Sequence, residues 1–298
     1  MSPLVATGAA TRPAILMGDL VELAKPRITL MVMLTAGTGL LLASGRAPTL
    51  GLALAVLAGT GLVAAGGSAL NHHWERDTDR LMERTAGRPL PAGRMHPDVA
   101  LGYGLGLSVV GLLALALATN LLTAGLGLIA LIGYVLVYTP LKRITSLATV
   151  VGAVPGAIPP MMGWAAASGR LDAGAWALFA ILFFWQLPHF LAIAWICRDD
   201  YERAGMPVFT VGDDSGVRTG RQMVLWAAAL VPVSLLPALL GLAGAAYLLA
   251  ALLLGLALLT VSMGFLRRHS GVAARRLLLA SVVYLPAVLV MLVVDRLA

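Results

Sequence analysis

Charge is scarce in this chain of 298 residues: 12% of them are Asp, Glu, Lys or Arg, against 59% hydrophobic. Ordinary soluble domains carry about 25% charged residues. The deficit excludes a water-soluble globular domain and predicts a polytopic membrane protein. Cysteine is nearly absent; with Cys197 alone no intramolecular disulfide can form, and the thiol reads as a buried apolar group. Aromatic residues make up only 6%, and Ala and 33 Gly stand in their place. Small residues let transmembrane helices approach closely where lipid removes the hydrophobic drive. The first 20 residues lack a cationic start, an apolar core and a small-residue cleavage site. No cleavable signal peptide is expected, and the first apolar span directs insertion. The net charge of +7 reports membrane topology rather than a nucleic-acid partner.

What is there in quantity is apolar sequence. Runs long enough to span, roughly 20 residues each, fall at 28–44, 50–70, 98–118, 121–139, 148–167, 174–196, 222–241, 243–265 and 274–294. The fourth is short, and the seventh and eighth are divided only at Gly241–Gly244. Of 21 Lys and Arg, 18 fall on one side of this pattern: the N-terminal arm (Arg12, Lys25, Arg27) and the second, fourth, sixth and eighth loops. Arg46, Arg170 and Arg296 fall on the other. Positive loops stay inside. The expected fold is therefore all-α: a single domain over 1–298, with about nine transmembrane helices around a central cavity and a cytoplasmic N-terminus. It would be multi-pass in the cell's inner (plasma) membrane. An arm at 1–24 and cytoplasmic loops at 71–97 and 197–221 would flank the bundle.

The acids are sorted more narrowly still. Ten of 14 lie in two clusters, Glu75 to Asp98 and Asp199 to Asp214, which follow the second and sixth spans. Four spans separate them, so both face one side, an arrangement that suggests two parallel halves. Asn71, Glu75 and Asp79 recur every four residues and stack along one helix face. Hard oxygen donors in this array suit Mg²⁺, which takes few protein carboxylates and shares its shell with phosphate and water. The alternative is a solvated helix end with its acids paired to Arg76, Arg80 and Arg84. Asp77 stands off the line by about 160–200° and is expected to pair with an arginine or to join the site. The segment from Arg84 to Arg94 holds two Pro and two Gly and reads as a shaped loop. Its Arg84 and Arg88 are either phosphate clamps or topology determinants.

Three further segments carry polar groups into apolar surroundings. Trp185, Gln186 and His189 lie inside the sixth span beside Pro188. Intramembrane polar groups are functional or buried in the bundle, so His189 is read as an interhelical hydrogen-bonding group, an iron ligand or a proton-transfer group. Lys142 and Arg143 close the fourth span after Tyr138, as topology signals or as neutralisers of an anion. The fifth span opens with Gly152, Pro155, Gly156, Pro159, Pro160 and Gly163, which implies a bent helix lining a cavity, not lipid.

Together these segments resemble the UbiA-type intramembrane prenyltransferases, over about residues 20–215. The resemblance runs through Lys25-Pro26-Arg27, the Asn71–Asp79 array, Arg84-Thr85 to Arg88-Pro89-Leu90-Pro91 and Tyr138 to Arg143. It continues through Pro159-Pro160 to Gly163-Trp164, Trp185-Gln186 to His189-Phe190 and Asp200-Tyr201 to Met206-Pro207. It is strongest to the haem-farnesylating branch. Glu75 stands where the superfamily usually has Asp, and Ala204 stands where a second acid is usual after Asp200, which Asp199 or Glu202 could replace. The resemblance implies farnesyl diphosphate and haem b as substrates and a Mg²⁺-dependent catalytic face toward the cytoplasm. It places metal on Asn71, Glu75, Asp79 and Asp200 or Asp199. Diphosphate would meet Lys142, Arg143, Arg84 and Arg88, and the acceptor would meet Tyr138, Trp185, Gln186 and His189. It further implies a haem A synthase as partner. A prenyltransferase for 4-hydroxybenzoate or a quinone precursor is the nearest alternative; a transporter of an anion is another.

Overall fold

A computed structural model describes residues 17–45 and 47–297; most of the N-terminal arm, with Arg12, and also Arg46 lie outside the described residues. Among the described residues there is no strand, and nine helices are long and apolar enough to cross a membrane. They are Pro26–Ser44, Leu50–Asp79, Pro97–Ala118, Leu121–Leu141, Ala148–Ser168, Ala173–Ile196, Val217–Leu239, Ala245–Arg268 and Gly271–Arg296. Large apolar side chains such as Leu113, Leu117 and Leu253 stay exposed on their outer faces, as lipid-facing helices require. The nine expected spans are thus present, with one consequential shift of boundary.

That shift is in the second span, which continues nine residues past its expected end to Asp79. Its 30 residues extend about 45 Å, well beyond a hydrocarbon core of about 30 Å. The last turns therefore project as helix, and residues 71–79 are not loop. The Thr85 hydroxyl donates to the Asp79 carbonyl at 2.9 Å and satisfies one of the orphaned carbonyls of the final turn. The second and third spans meet at Gly66 and Gly104, where a Cβ on either would press against the other's backbone oxygen at 2.7–3.1 Å. This close approach fixes the projecting end against its neighbour.

The fifth span is broken at Ile158 into Ala148–Ala157 and Pro159–Ser168. Every residue from Pro159 to Ala165 is buried, in line with the expectation that this helix lines the interior. Gly163 lies so close to the first span that a Cβ would collide with the Ala36 carbonyl. The fourth span ends in a π-helical turn, Gly133–Tyr138. Pro140 lacks the N–H that an α-helical bond to Leu136 would use, and the widened turn instead carries the Thr139 N–H to the Tyr134 carbonyl. Nothing in the apolar pattern forecasts this turn, yet it delivers Thr139 and Tyr138 to the site.

The largest apolar core joins the sixth to ninth spans around Phe265, Tyr247 and Tyr284, all almost fully buried. A smaller cluster of Leu23, Ala69, Leu90, Met95 and Ala100 ties the short helix Met17–Ala24 and the shaped loop to the second and third spans. Arg94 reinforces it, reaching Asp19 at 3.0 Å and the Gly87 carbonyl at 2.8 Å. Cys197, expected to be buried, is half-buried at the end of the sixth span, where the chain turns into the helix Arg198–Arg203.

Candidate active site

Asn71, Glu75 and Asp79 lie along one face of the second span's projecting end, and all three are at least 95% buried. Each meets a cation or a neighbouring helix. The Asn71 amide donates to Thr139 Oγ1 at 3.0 Å, and Asn71 Oδ1 accepts from Lys25 Nζ at 3.3 Å. Glu75 is ion-paired to Lys142. Asp79 Oδ2 is held by Arg88 at 2.7 Å, while Asp79 Oδ1 is buried with no hydrogen-bond partner among the described residues. Lys142 also lies over the Tyr138 ring, 4.9 Å from its centroid. Burial alone would lower the Lys142 ammonium, but Tyr138 and Glu75 outweigh it and hold the group above the usual lysine range.

The remaining expected residues divide by position. Asp200 approaches the first cluster from the sixth loop: its Oδ1 accepts the Glu83 N–H at 3.0 Å and also pairs with Arg203. The two acid-bearing segments therefore meet at one end of the bundle. Asp199 stays exposed and pairs with Arg198 at 3.3 Å. Asp77 is likewise exposed, 3.8 Å from Arg76. Arg143 points to the Trp74 carbonyl at 3.1 Å instead of to the acids, and Arg84 is exposed. Gln186 is buried and donates to the Ala153 and Leu182 carbonyls at 3.3 and 3.0 Å. Trp185 stacks on His189 with centroids 4.9 Å apart.

Three site residues escaped the sequence reading. Lys25 looked like one more topology signal. It turns into the site because its backbone is left-handed, with φ of 46°, just before Pro26 starts the first span. Burial first, then repulsion from Arg88, push its ammonium down to about 7. The Lys25-Pro26 step was its only local signal. Thr139 sits unremarked between Tyr138 and Pro140. His72 is 2% exposed, and neither ring nitrogen has a partner among the described residues.

The site thus sets two cations, Arg88 and Lys142, and Lys25, an amine held close to its ionisation point, against two carboxylates. It has positive charge for an anion and oxygen donors for a hard cation. Among the described residues no three His, Cys, Asp or Glu converge as an all-protein metal cage. The unpartnered Asp79 oxygen fits a metal that completes its shell with substrate phosphate and water.

Comparison with known proteins agrees with this chemistry. The family model described as "UbiA prenyltransferase family" matches residues 32–285. A protoheme IX farnesyltransferase of Myxococcus xanthus (strain DK1622) is 48% identical over 281 residues, 93% of this chain and 94% of that protein. One of Anaeromyxobacter sp. (strain Fw109-5) is 50% identical over 276 residues, 92% of each chain. Among solved structures, one concerning digeranylgeranylglyceryl phosphate synthase superposes with a TM-score of 0.79 at 16% identity, covering 94% of this chain and 98% of that one. A UbiA homolog from Archaeoglobus fulgidus bound to GPP and Mg²⁺ superposes with a TM-score of 0.61 at 16% identity, covering 92% and 99%. On the match across its length and on its nine-span bundle, this chain belongs to the UbiA prenyltransferase family.

Proposed function

We propose that this chain is a haem O synthase: it transfers the farnesyl group of farnesyl diphosphate to a vinyl group of haem b, with water as second reactant. The observation that carries the reading is the buried meeting of Asn71, Glu75 and Asp79 with Lys25, Lys142 and Arg88. It occurs in a chain 48–50% identical, over more than nine-tenths of its length, to proteins named for this reaction. The 18-to-3 split of basic residues supports a site on the cytoplasmic face of the plasma membrane.

Asn71, Glu75 and Asp79 would hold Mg²⁺, which when bound supplies charge neutralisation to the departing diphosphate. Lys142 and Arg88, paired to the same carboxylates, stand beside that array and would meet the phosphate oxygens. Lys25, buried beside Asn71, adds a third donor. When the C1–O bond of the farnesyl group breaks, the electron pair leaves with the diphosphate, whose charge these buried donors would offset. The Tyr138 ring under Lys142 offers a π face to the allylic cation. The vinyl electrons then form the new C–C bond, and water captures the resulting cation, losing a proton to give a hydroxyethylfarnesyl side chain. Asp200 holds the sixth loop to the shaped loop through Glu83, closing the phosphate end of the site.

The direct test is expression of the full chain in cells lacking haem O, followed by mass analysis of extracted haems. Haem O is expected, and it should disappear when membranes are assayed with a Mg²⁺ chelator. Farnesyl transfer to a quinone precursor with none to haem would falsify the acceptor assignment.

A further inference from the structure

We propose that His189 offers its Nε2 atom as the ligand for the iron of the acceptor haem, a role that rests on the haem reading above. The argument is one of proton accounting. Ser281 on the ninth span is fully buried, and its hydroxyl donates to the Leu278 carbonyl at 2.7 Å. A carbonyl oxygen cannot donate, so this shorter contact calls for the one hydroxyl proton, and the proton is assigned there. His189 Nδ1 lies 2.8 Å from the same Ser281 oxygen. With the hydroxyl proton assigned to the Leu278 carbonyl, the proton between them is assigned to Nδ1. In a neutral imidazole this leaves Nε2 with a bare lone pair.

The ring is also held in place. Trp185 stacks on it at 4.9 Å with 26° between planes, and Trp185 Nε1 donates to the Ser281 carbonyl at 2.7 Å. Both rings are thus anchored to one residue of the ninth span. His189 is half-buried, and no charged side chain pairs with it among the described residues. Fixing a histidine by an Nδ1–H donated to an oxygen acceptor is the usual way proteins present Nε2 to a metal. A proton-transfer role fits less well, because the group beyond Nδ1 is a hydroxyl whose proton is already spent on backbone.

Position agrees. His189 lies seven residues before Ile196, the last of its helix, about 10 Å in from that end. Asn71 lies eight residues before Asp79, the last of its own, about 12 Å in. Glu83 and Asp200 join these two ends, so the imidazole and the acid array sit at similar depth in one bundle.

The test uses the purified full chain in lipid nanodiscs, titrated separately with ferric haem and with iron-free protoporphyrin IX. Wild type is expected to bind haem with a histidine-ligated spectrum. His189→Ala should weaken haem binding by on the order of tenfold or more and shift the Soret band, while its affinity for iron-free porphyrin stays unchanged. Ser281→Ala, which frees the ring to choose its tautomer, should produce a smaller loss for haem alone. Added imidazole should restore the spectrum of His189→Gly. If the Ala and Gly variants do not fold, His189→Met carries the test and should give an altered, methionine-type spectrum. An unchanged spectrum in the variants, or equal losses for both porphyrins, overturns the proposal while leaving haem O synthesis by the wild type intact. A wild-type chain that binds no haem overturns both readings.

Discussion

Two acid-bearing segments meet at one end of this bundle, and they are built differently. In the first, Asn71, Glu75 and Asp79 are at least 95% buried, each faces a cation or a helix, and one Asp79 oxygen is left without a partner. In the second, Asp199 is exposed, Asp200 is spent on the Glu83 N–H and Arg203, and Asp213 caps the seventh span through Thr219. On the page of the sequence the two look alike, since each is an acid cluster at the end of a span. The difference is burial. A buried carboxylate must be compensated, and in the first segment the compensation comes from the cationic side chains of Lys142 and Arg88, groups that a phosphate would also attract. In the second, Asp199 and Asp200 pair with arginines of their own short helix, and Asp200 and Asp213 also accept backbone N–H groups that hold the loops in place.

The sharpest way to break this comparison is at Asp79. Asp79→Asn keeps the shape and removes the charge, and turnover should fall by at least about a hundredfold, with the protein still extracted as a folded membrane species. Near-normal haem O output from that variant would place the chemistry elsewhere. Next is the Lys142–Glu75 pair. Lys142→Met leaves Glu75 buried and alone, at a cost of about 3–5 kcal/mol. Pairing it with Glu75→Gln should recover most of that stability but no activity, as read by thermal unfolding in detergent beside a farnesyl-transfer assay. Asp200→Ala should be weaker than Asp79→Asn, about tenfold, and chiefly in KM, because it unties the loop that closes the phosphate end. A loss equal to that of Asp79→Asn would make Asp200 a metal ligand instead.

Smaller effects sharpen the structural half of the contrast. Burial pushes the Asp213 carboxyl up, but hydrogen bonds from Thr219 and Ser215 outweigh it and hold it below the usual carboxylate range. A depressed carboxyl stabilises the fold above its unfolded pKa, and that contribution disappears as the pH drops through the folded value. Asp213→Ala should therefore cost about 1 kcal/mol at neutral pH and nothing in strong acid, a convergence that melting curves across pH will show or refute. Asp199→Ala, at an exposed pair, should leave both turnover and stability within experimental error. A clear loss there would support Asp199 as a metal ligand.

The sequence by itself determined a great deal. Scarce charge and nine apolar runs specify a membrane helix bundle, since lipid tolerates little else. The four-residue spacing of Asn71, Glu75 and Asp79 places three oxygen donors on one face, since helix geometry is local. The broken fifth span was legible for the same reason, because Pro and Gly act where they stand. What only the tertiary structure decided are the partners. Lys25 reaches Asn71 across 46 positions, Thr139 across 68, and Asp200 reaches Glu83 across 117. His189 finds Ser281 across 92. No periodicity links residues at such separations. Their meeting depends on the Gly66–Gly104 approach, the π turn before Pro140 and the left-handed Lys25, each a consequence of helices packing together rather than of any one helix forming.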